Sequence, residues 1–223
     1  MRSTRLSSLA IGIGALLVGV ATVAGWIFVL STPWAEGAGF AAGMRIMFAM
    51  FGIISGIVTV GSGTSLLAVE RFLSPSSTER KFLAGGAGLL AGGLVAANIG
   101  LLVLWYTPYG SLWMQLGSVL VNIAEVVQPV GFILTVDGLI LVAVSTRRDG
   151  YASPGRTLLR ASTVMVLLGI ASLVLSNVLG LSRTVTIVSP FSLGWLLLSI
   201  GVPTLLLGGL LAVNTRWRRS PAA

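Results

Sequence analysis

Apolar runs of about 20 residues, separated by shorter polar segments, are the main pattern of this sequence. A helix needs about 20 apolar residues to cross the hydrocarbon core of a bilayer, so each run is long enough for one crossing. The pattern predicts an all-α fold, a six-transmembrane-helix bundle that forms a single integral membrane domain over residues 1–223. The predicted spans are residues 9–30, 44–69, 82–106, 129–146, 158–181 and 188–213.

The composition indicates the same class of protein. The chain is 55% hydrophobic and 9% charged, with a mean hydropathy of +0.99, whereas soluble domains average about 25% charged residues. The formal charge of +8 arises from basic residues that cluster where apolar runs end, rather than on a soluble face. We therefore expect the lipid bilayer, and no nucleic acid, as a partner.

Histidine and cysteine are both absent from the sequence. Their absence excludes disulfides, His-ligated haem, the usual zinc sites and every His-based catalytic arrangement. The six acidic residues are scattered along the chain, so we expect no metal site and no cofactor. Candidate acids, bases and nucleophiles do not cluster either, and we therefore expect that the protein is not an enzyme.

The basic residues also predict an orientation. If the N-terminus is cytoplasmic, twelve Lys and Arg residues fall inside and only Arg45 and Arg183 fall outside. Because basic residues near span ends favour the cytoplasmic side, we expect a multi-pass protein of the cell membrane with both termini in the cytoplasm. The twelve are Arg2, Arg5, Arg71, Arg80, Lys81, Arg147, Arg148, Arg156, Arg160, Arg216, Arg218 and Arg219.

The segment from Ser111 to Thr146 is too long for one straight crossing, at roughly 54 Å if it is helical. Splitting it into two crossings at Pro129 would move the later basic residues outside, against the charge bias. We therefore expect an interfacial helix over residues 111–128, bent at Pro129 into the fourth span.

Matching segments suggest an internal repeat. Thr32-Pro33-Trp34 and Thr107-Pro108-Tyr109 are 75 residues apart, and Ala68-Val69 recurs as Ala143-Val144 at the same offset. These matches predict three repeated helical hairpins. The alternative is that membrane helices reuse the same few residue types.

Small residues follow one another at four-residue spacing in the third span, as Ala84, Gly88, Gly92, Ala96 and Gly100. Residues this small allow two helix backbones to approach closely, so we expect another helix to pack there. That helix belongs to the same chain or to a second subunit.

Polar residues form a narrow stripe between the third and fourth spans. The stripe faces either the membrane surface or a hydrated vestibule between helices. Its members are Ser111, Gln115, Ser118, Asn122, Glu125 and Gln128.

Asp137 is a lone carboxylate in an otherwise apolar stretch, where a charge costs a few kcal/mol. It is either a neutral acid that donates to Asn98 or a backbone carbonyl, or a group that carries protons or cations. Glu125 and Arg45 lie at similar predicted depth and are a candidate ion pair.

The leading hypothesis is a small ion-coupled or passive transport protein. Its candidate transport site consists of Asp137, Asn98, Asn122, Glu125 and Gln128. The alternative is a non-catalytic assembly subunit of a larger membrane complex, which packs against partner subunits or further copies of itself through its small-residue faces.

Overall fold

The structure is a computed structural model that describes residues 2–32, 39–145, 153–178 and 190–217. The described chain is helical, and all six helices are long and apolar enough to cross a membrane. This confirms the predicted all-α fold with six candidate spans. The helices are α1 (Arg2–Ser31), α2 (Gly39–Phe72), α3 (Ser77–Tyr106), α4 (Leu112–Ser145), α5 (Pro154–Val178) and α6 (Pro190–Trp217).

Two compact units divide the chain, unit 1 over Met1–Gly138 and unit 2 over Leu139–Ala223. Unit 1 holds α1, α2, α3 and most of α4, and unit 2 holds the end of α4 with α5 and α6. The predicted single membrane domain stays a prediction. The predicted span ends at residues 146, 181 and 188 lie outside the described residues.

Glycines allow α1 and α2 to pack with their backbones in near contact. A methyl group added at Gly63 would stand 2.7 Å from the carbonyl oxygen of Gly12, and one at Gly19 would stand 2.7 Å from that of Gly56. No real side chain tolerates such distances, so this antiparallel pair requires glycine at these positions. On each helix the two glycines are seven residues apart and thus lie on one face.

The packing face of α3 differs from the predicted one. Its close contacts to α4 are made by Gly86, Gly93 and Gly100, whereas Gly92 is exposed and a methyl group there would meet nothing described within 4 Å. A methyl group at Gly88 would meet only Ile11, at 3.7 Å. Of the three glycines in the row of Ala84, Gly88, Gly92, Ala96 and Gly100, only Gly100 thus makes a close contact to α4.

Helix geometry explains this correction. A step of four residues rotates about 40° past a full turn, so a row at that spacing moves around the helix. Seven residues fall within about 20° of two full turns and stay on one face. The four-residue spacing therefore does not mark the face that packs against α4, and packing of this row against a second subunit stays a prediction.

The segment at 111–128 is not a separate helix, since α4 continues through Pro129 as one helix of 34 residues, and its predicted interfacial position stays a prediction. Gly117 packs on Gly100 before the proline and Gly131 packs on Gly86 after it. Both halves of α4 are thereby held along α3. Pro129 itself is exposed, and a proline within a membrane helix is tolerated when neighbouring groups compensate for the lost hydrogen bond.

Unit 2 contains another glycine-packed antiparallel pair. A methyl group at Gly194 of α6 would lie 3.0 Å from the carbonyl oxygen of Gly169 in α5, and one at Gly208 would lie 2.8 Å from the backbone nitrogen of Leu159. Antiparallel neighbours are expected of any chain that crosses a membrane repeatedly through short loops. The predicted internal repeat is therefore not confirmed by this pairing.

Candidate functional site

A cavity of about 430 Å³ lies inside unit 1, between α1, α2, α3 and α4. We call it the Glu125 pocket. Three of the five predicted site residues line it, namely Asn98, Glu125 and Gln128. Its other lining residues are Trp26, Met47, Phe48, Phe51, Gly52, Ser55, Leu94, Ala97, Leu101, Val121 and Ala124.

The register between α3 and α4 brings these polar residues together. Gly93 of α3 packs on Gln128 of α4, and a methyl group added at Gly93 would stand 2.8 Å from the Gln128 Cγ atom. Glu125 lies almost one turn before Gln128, so it falls beside the following turn of α3, which carries Asn98. The pocket therefore lies beside the second half of α3, from Leu94 to Leu101.

The Glu125 side chain is exposed where it lines the pocket. Among the described residues, the ion pairs that the structure shows join Glu70 to Arg5 and Arg80, and the predicted Arg45–Glu125 pair is not among them. Arg45 instead donates a hydrogen bond to the Thr32 Oγ1 atom at the end of α1. The physical reason is proximity, since the α1 terminus offers this acceptor beside the first turns of α2.

Asn98 is held by three hydrogen bonds. Its Oδ1 atom accepts from the indole nitrogen of Trp26 at 3.1 Å, and its Nδ2 atom donates to Thr22 Oγ1 at 3.3 Å and to the Leu94 carbonyl at 2.8 Å. Trp26 is buried against Gly52, where any side chain would collide with the indole. Asn98 therefore serves the interface between α1 and α3 as well as the pocket wall.

The predicted pairing of Asp137 with Asn98 is wrong. Gly138 packs on Leu83, so Asp137 lies beside the second turn of α3, roughly 22 Å along the helix from Asn98 at 1.5 Å per residue. Asp137 is fully buried and is not one of the residues that line the Glu125 pocket. Asn122 is exposed on α4 and is not among those lining residues either.

A groove of about 400 Å³ between α1 and α3 adjoins the Glu125 pocket. Trp26, Asn98 and Leu101 line both, so these three side chains form the wall between them. On the groove side, Trp26 meets Trp105 edge to face, with ring centroids 6.2 Å apart and planes at 85°. No local sequence pattern indicates the Trp26–Asn98 bond, because the two residues are 72 positions apart.

A second charged cluster lies at the end of unit 1 where α1 begins, α2 ends and α3 begins. The carboxylate of Glu70 is almost fully buried and accepts from Arg80 Nε at 2.6 Å and from Arg80 Nη2 at 3.4 Å. Arg5 donates to the Glu70 carbonyl oxygen at 3.1 Å, and its Nε atom lies 4.0 Å from the carboxylate. We call this three-helix arrangement the Glu70 clamp.

The first turn of α3 beside the clamp is closed by a capping box. The Ser76 hydroxyl accepts from the Glu79 backbone nitrogen at 3.4 Å, and the Glu79 carboxylate accepts from the Ser76 backbone nitrogen at 2.7 Å. Both donors would otherwise lack a partner within the helix. Only the basic residues of this region entered the topology prediction and its acidic ones were missed, although Ser76-x-x-Glu79 is a recognisable helix-start pattern.

Comparison of the chain with models of protein families, with curated proteins and with solved structures gave no match in any of the three. Function is therefore inferred from the geometry of the described residues alone.

Proposed function

We propose that the chain is a small multi-pass membrane transport protein whose substrate site is the Glu125 pocket. One observation carries this proposal: Asn98, Glu125 and Gln128 line one cavity between α1, α2, α3 and α4. A carboxylate among apolar helices is costly to maintain, and such groups commonly mark substrate or ion pathways. Transporters likewise hold their substrate near the middle of the membrane.

The test is a flux measurement in proteoliposomes. Purified protein is reconstituted, gradients of H⁺, Na⁺ or K⁺ are imposed in turn, and their decay is followed with pH-sensitive or potential-sensitive dyes. We expect faster decay than in empty liposomes for at least one ion, and loss of most of that flux in Glu125→Gln. Glu79→Gln is the matched control, because glutamine also completes a capping box.

The same assay distinguishes Glu125 from Asp137, the carboxylate that the sequence pattern favoured. Under the proposal, Asp137→Asn retains most of the flux, because Asp137 lies outside the pocket. If Asp137→Asn abolished flux and Glu125→Gln left it unchanged, the Glu125 pocket would no longer be the proposed site. If wild-type proteoliposomes behaved like empty ones under every gradient, ion-coupled and ion-conducting transport would both fail.

A second candidate function, an assembly subunit of a larger membrane complex, is favoured by the exposed glycine at position 92. Gly92 is exposed on a helix otherwise rich in close contacts, and no described residue lies near it. An open small residue of this kind allows a partner helix to approach. Purification in mild detergent followed by native mass spectrometry tests the idea. A partner subunit lost in Gly92→Leu but kept in Gly61→Leu, which is equally open, would favour assembly over transport.

The orientation completes the proposal, with both termini in the cytoplasm of a cell. Within unit 1, Arg5, Arg71 and Arg80 all belong to the end that carries the Glu70 clamp, whereas Arg45 lies toward the opposite end. This agrees with the bias of basic residues toward one side. Reporter fusions after Ser74 and Arg148 should read cytoplasmic, and a fusion after Pro108 external. An external signal at Ser74 would reverse the orientation.

A further inference from the structure

The charges that line the Glu125 pocket are unbalanced. Glu125 is its acidic lining residue, and none of the described lining residues is basic. The other polar side chains, Ser55, Asn98 and Gln128, are neutral. Arg45 precedes the α2 part of the pocket, but its guanidinium is hydrogen-bonded to Thr32. A carboxylate held among apolar helices is stabilised by a cation, so the charge favours a positively charged ligand.

The other residues that line the pocket favour an organic cation over a metal ion. Trp26, Phe48 and Phe51 supply aromatic surface, and Met47 supplies a polarisable thioether. Aromatic faces attract organic cations, and most strongly where water is excluded. A bare metal ion would instead require several oxygen ligands. The side chains of Ser55, Asn98, Glu125 and Gln128 line the pocket, and their oxygens are fewer than the roughly six or more that such an ion takes.

Size and surroundings indicate a lipophilic ligand. A cavity of about 430 Å³ falls within the range of small-molecule sites. The apolar groove between α1 and α3 lies directly behind Trp26 and Leu101. A ligand that partitions into the bilayer would therefore reach the neighbourhood of the pocket at high local concentration.

From these observations we propose that the Glu125 pocket binds a lipophilic organic cation, one that carries aromatic or branched apolar groups around its charge. This assignment rests on the proposed transport function and names the class of its substrate. Glu125 supplies the counter-charge, and Trp26, Phe48 and Phe51 supply the aromatic contacts.

Equilibrium dialysis of the purified full-length protein in detergent tests the assignment. The probes are tetraphenylphosphonium, the nearly isosteric anion tetraphenylborate and the small hydrophilic cation tetramethylammonium, each corrected for uptake by protein-free micelles. We expect saturable binding of tetraphenylphosphonium alone. Glu125→Gln should weaken it roughly tenfold, because the opposite charge beside the bound cation is lost.

Matched variants separate the pocket from the rest of the chain. Phe51→Leu should weaken binding about threefold through the lost cation–aromatic contact, whereas Phe28→Leu should leave it within about twofold, because Phe28 is exposed outside the pocket. Glu79→Gln controls for removal of a carboxylate elsewhere. Thermal unfolding of each variant shows that a binding change does not reflect misfolding.

Binding of tetraphenylborate as tight as that of tetraphenylphosphonium, equal affinity for tetramethylammonium, or an unchanged affinity in Glu125→Gln would each overturn the assignment. Dialysis reports binding and proteoliposomes report flux, so the two proposals fail separately. If flux depended on Glu125 but phosphonium did not bind, the transport proposal would be supported and the assignment of a lipophilic cation would be contradicted. Phosphonium binding without any ion flux would support the binding site and contradict ion-coupled and ion-conducting transport.

Discussion

Glu70 and Glu125 are two carboxylates of the same helical unit in opposite situations. The carboxylate of Glu70 is almost fully buried and lies against Arg80 and Arg5, so its charge is compensated within the protein. Glu125 is exposed in a cavity whose described lining residues include no basic side chain. Charge alone therefore does not distinguish these two carboxylates, whereas their neighbours do, and the lack of a basic lining residue beside Glu125 supports its proposed role as a ligand contact.

The Glu70 clamp and the Glu125 pocket also differ in what they do for the helices. The Glu70 clamp joins three helix ends through one side chain and one backbone carbonyl, an arrangement that fixes α1, α2 and α3 against one another. The Glu125 pocket lies between the same three helices and α4, away from the clamp. A closed, charge-compensated end and an uncompensated cavity are what the proposed binding function requires.

Glu70→Gln gives the largest expected effect. The substitution keeps the shape of the side chain but removes the charge that balances Arg80, and breaking a buried ion pair from one side is strongly destabilising. We expect the free energy of unfolding to fall by about 3 kcal/mol, whereas Glu125→Gln should change it by less than about 0.5 kcal/mol.

Chemical unfolding of both variants in the same detergent provides this measurement. Equal losses of stability in Glu70→Gln and Glu125→Gln would contradict the distinction between a compensated and an uncompensated carboxylate. Greater loss in Glu125→Gln would assign Glu125 the structural role that we give to Glu70.

Gly93→Leu and Gly92→Leu form the second test, directed at the α3–α4 register that builds the pocket. A side chain at Gly93 would collide with Gln128, whereas Gly92 faces open space among the described residues. Overpacking at position 93 should cost about 2 kcal/mol. Gly92→Leu should be neutral or slightly stabilising in the isolated protein, because leucine is a better helix former than glycine.

Thermal unfolding and phosphonium binding are measured together for this pair. Gly93→Leu should lose both stability and affinity, since Gln128 must move, and Gly92→Leu should lose neither. If Gly92→Leu were the more damaging variant, the four-residue row that the sequence suggested would be the true packing face and the described register would be wrong.

Sequence alone predicted the helical class and the number of candidate spans, because apolar length is a property of local segments. It also singled out Glu125 and Gln128 through their spacing on one helix. It failed where the answer depends on helix rotation and register. The bond between Trp26 and Asn98 and the clamp between Glu70 and Arg80 join different helices, and no local period reports which faces meet.

The two polar misassignments have the same cause. Asp137 was paired with Asn98 by elimination at an assumed common depth, but the contact of Gly138 with Leu83 places it about four turns away along α3. Arg45 was paired with Glu125 because the two were expected at similar depth, whereas the structure shows Arg45 donating to an uncharged acceptor, Thr32. A charged residue in a membrane helix forms hydrogen bonds with neutral groups as well as ion pairs with opposite charges.

Trp26→Phe is the third test and has the smallest expected effect. Phenylalanine keeps the aromatic body against Gly52 but removes the indole N–H that donates to Asn98. Asn98 still donates to Thr22 and to the Leu94 carbonyl, so one hydrogen bond is lost rather than a network. We expect a loss of about 1 kcal/mol in the free energy of unfolding.

Trp105→Phe is the matched control for Trp26→Phe, because Trp105 is about half exposed and contacts Trp26 only by ring packing. It should cost less than about 0.5 kcal/mol. Because Trp26 also lines the Glu125 pocket, its variant should bind tetraphenylphosphonium somewhat less tightly, whereas Trp105→Phe should bind it normally. If both tryptophan variants behaved alike in stability and in affinity, the bond between Trp26 and Asn98 would not hold the pocket wall. The Glu125 pocket would then lack the fixed wall that the proposed binding site requires.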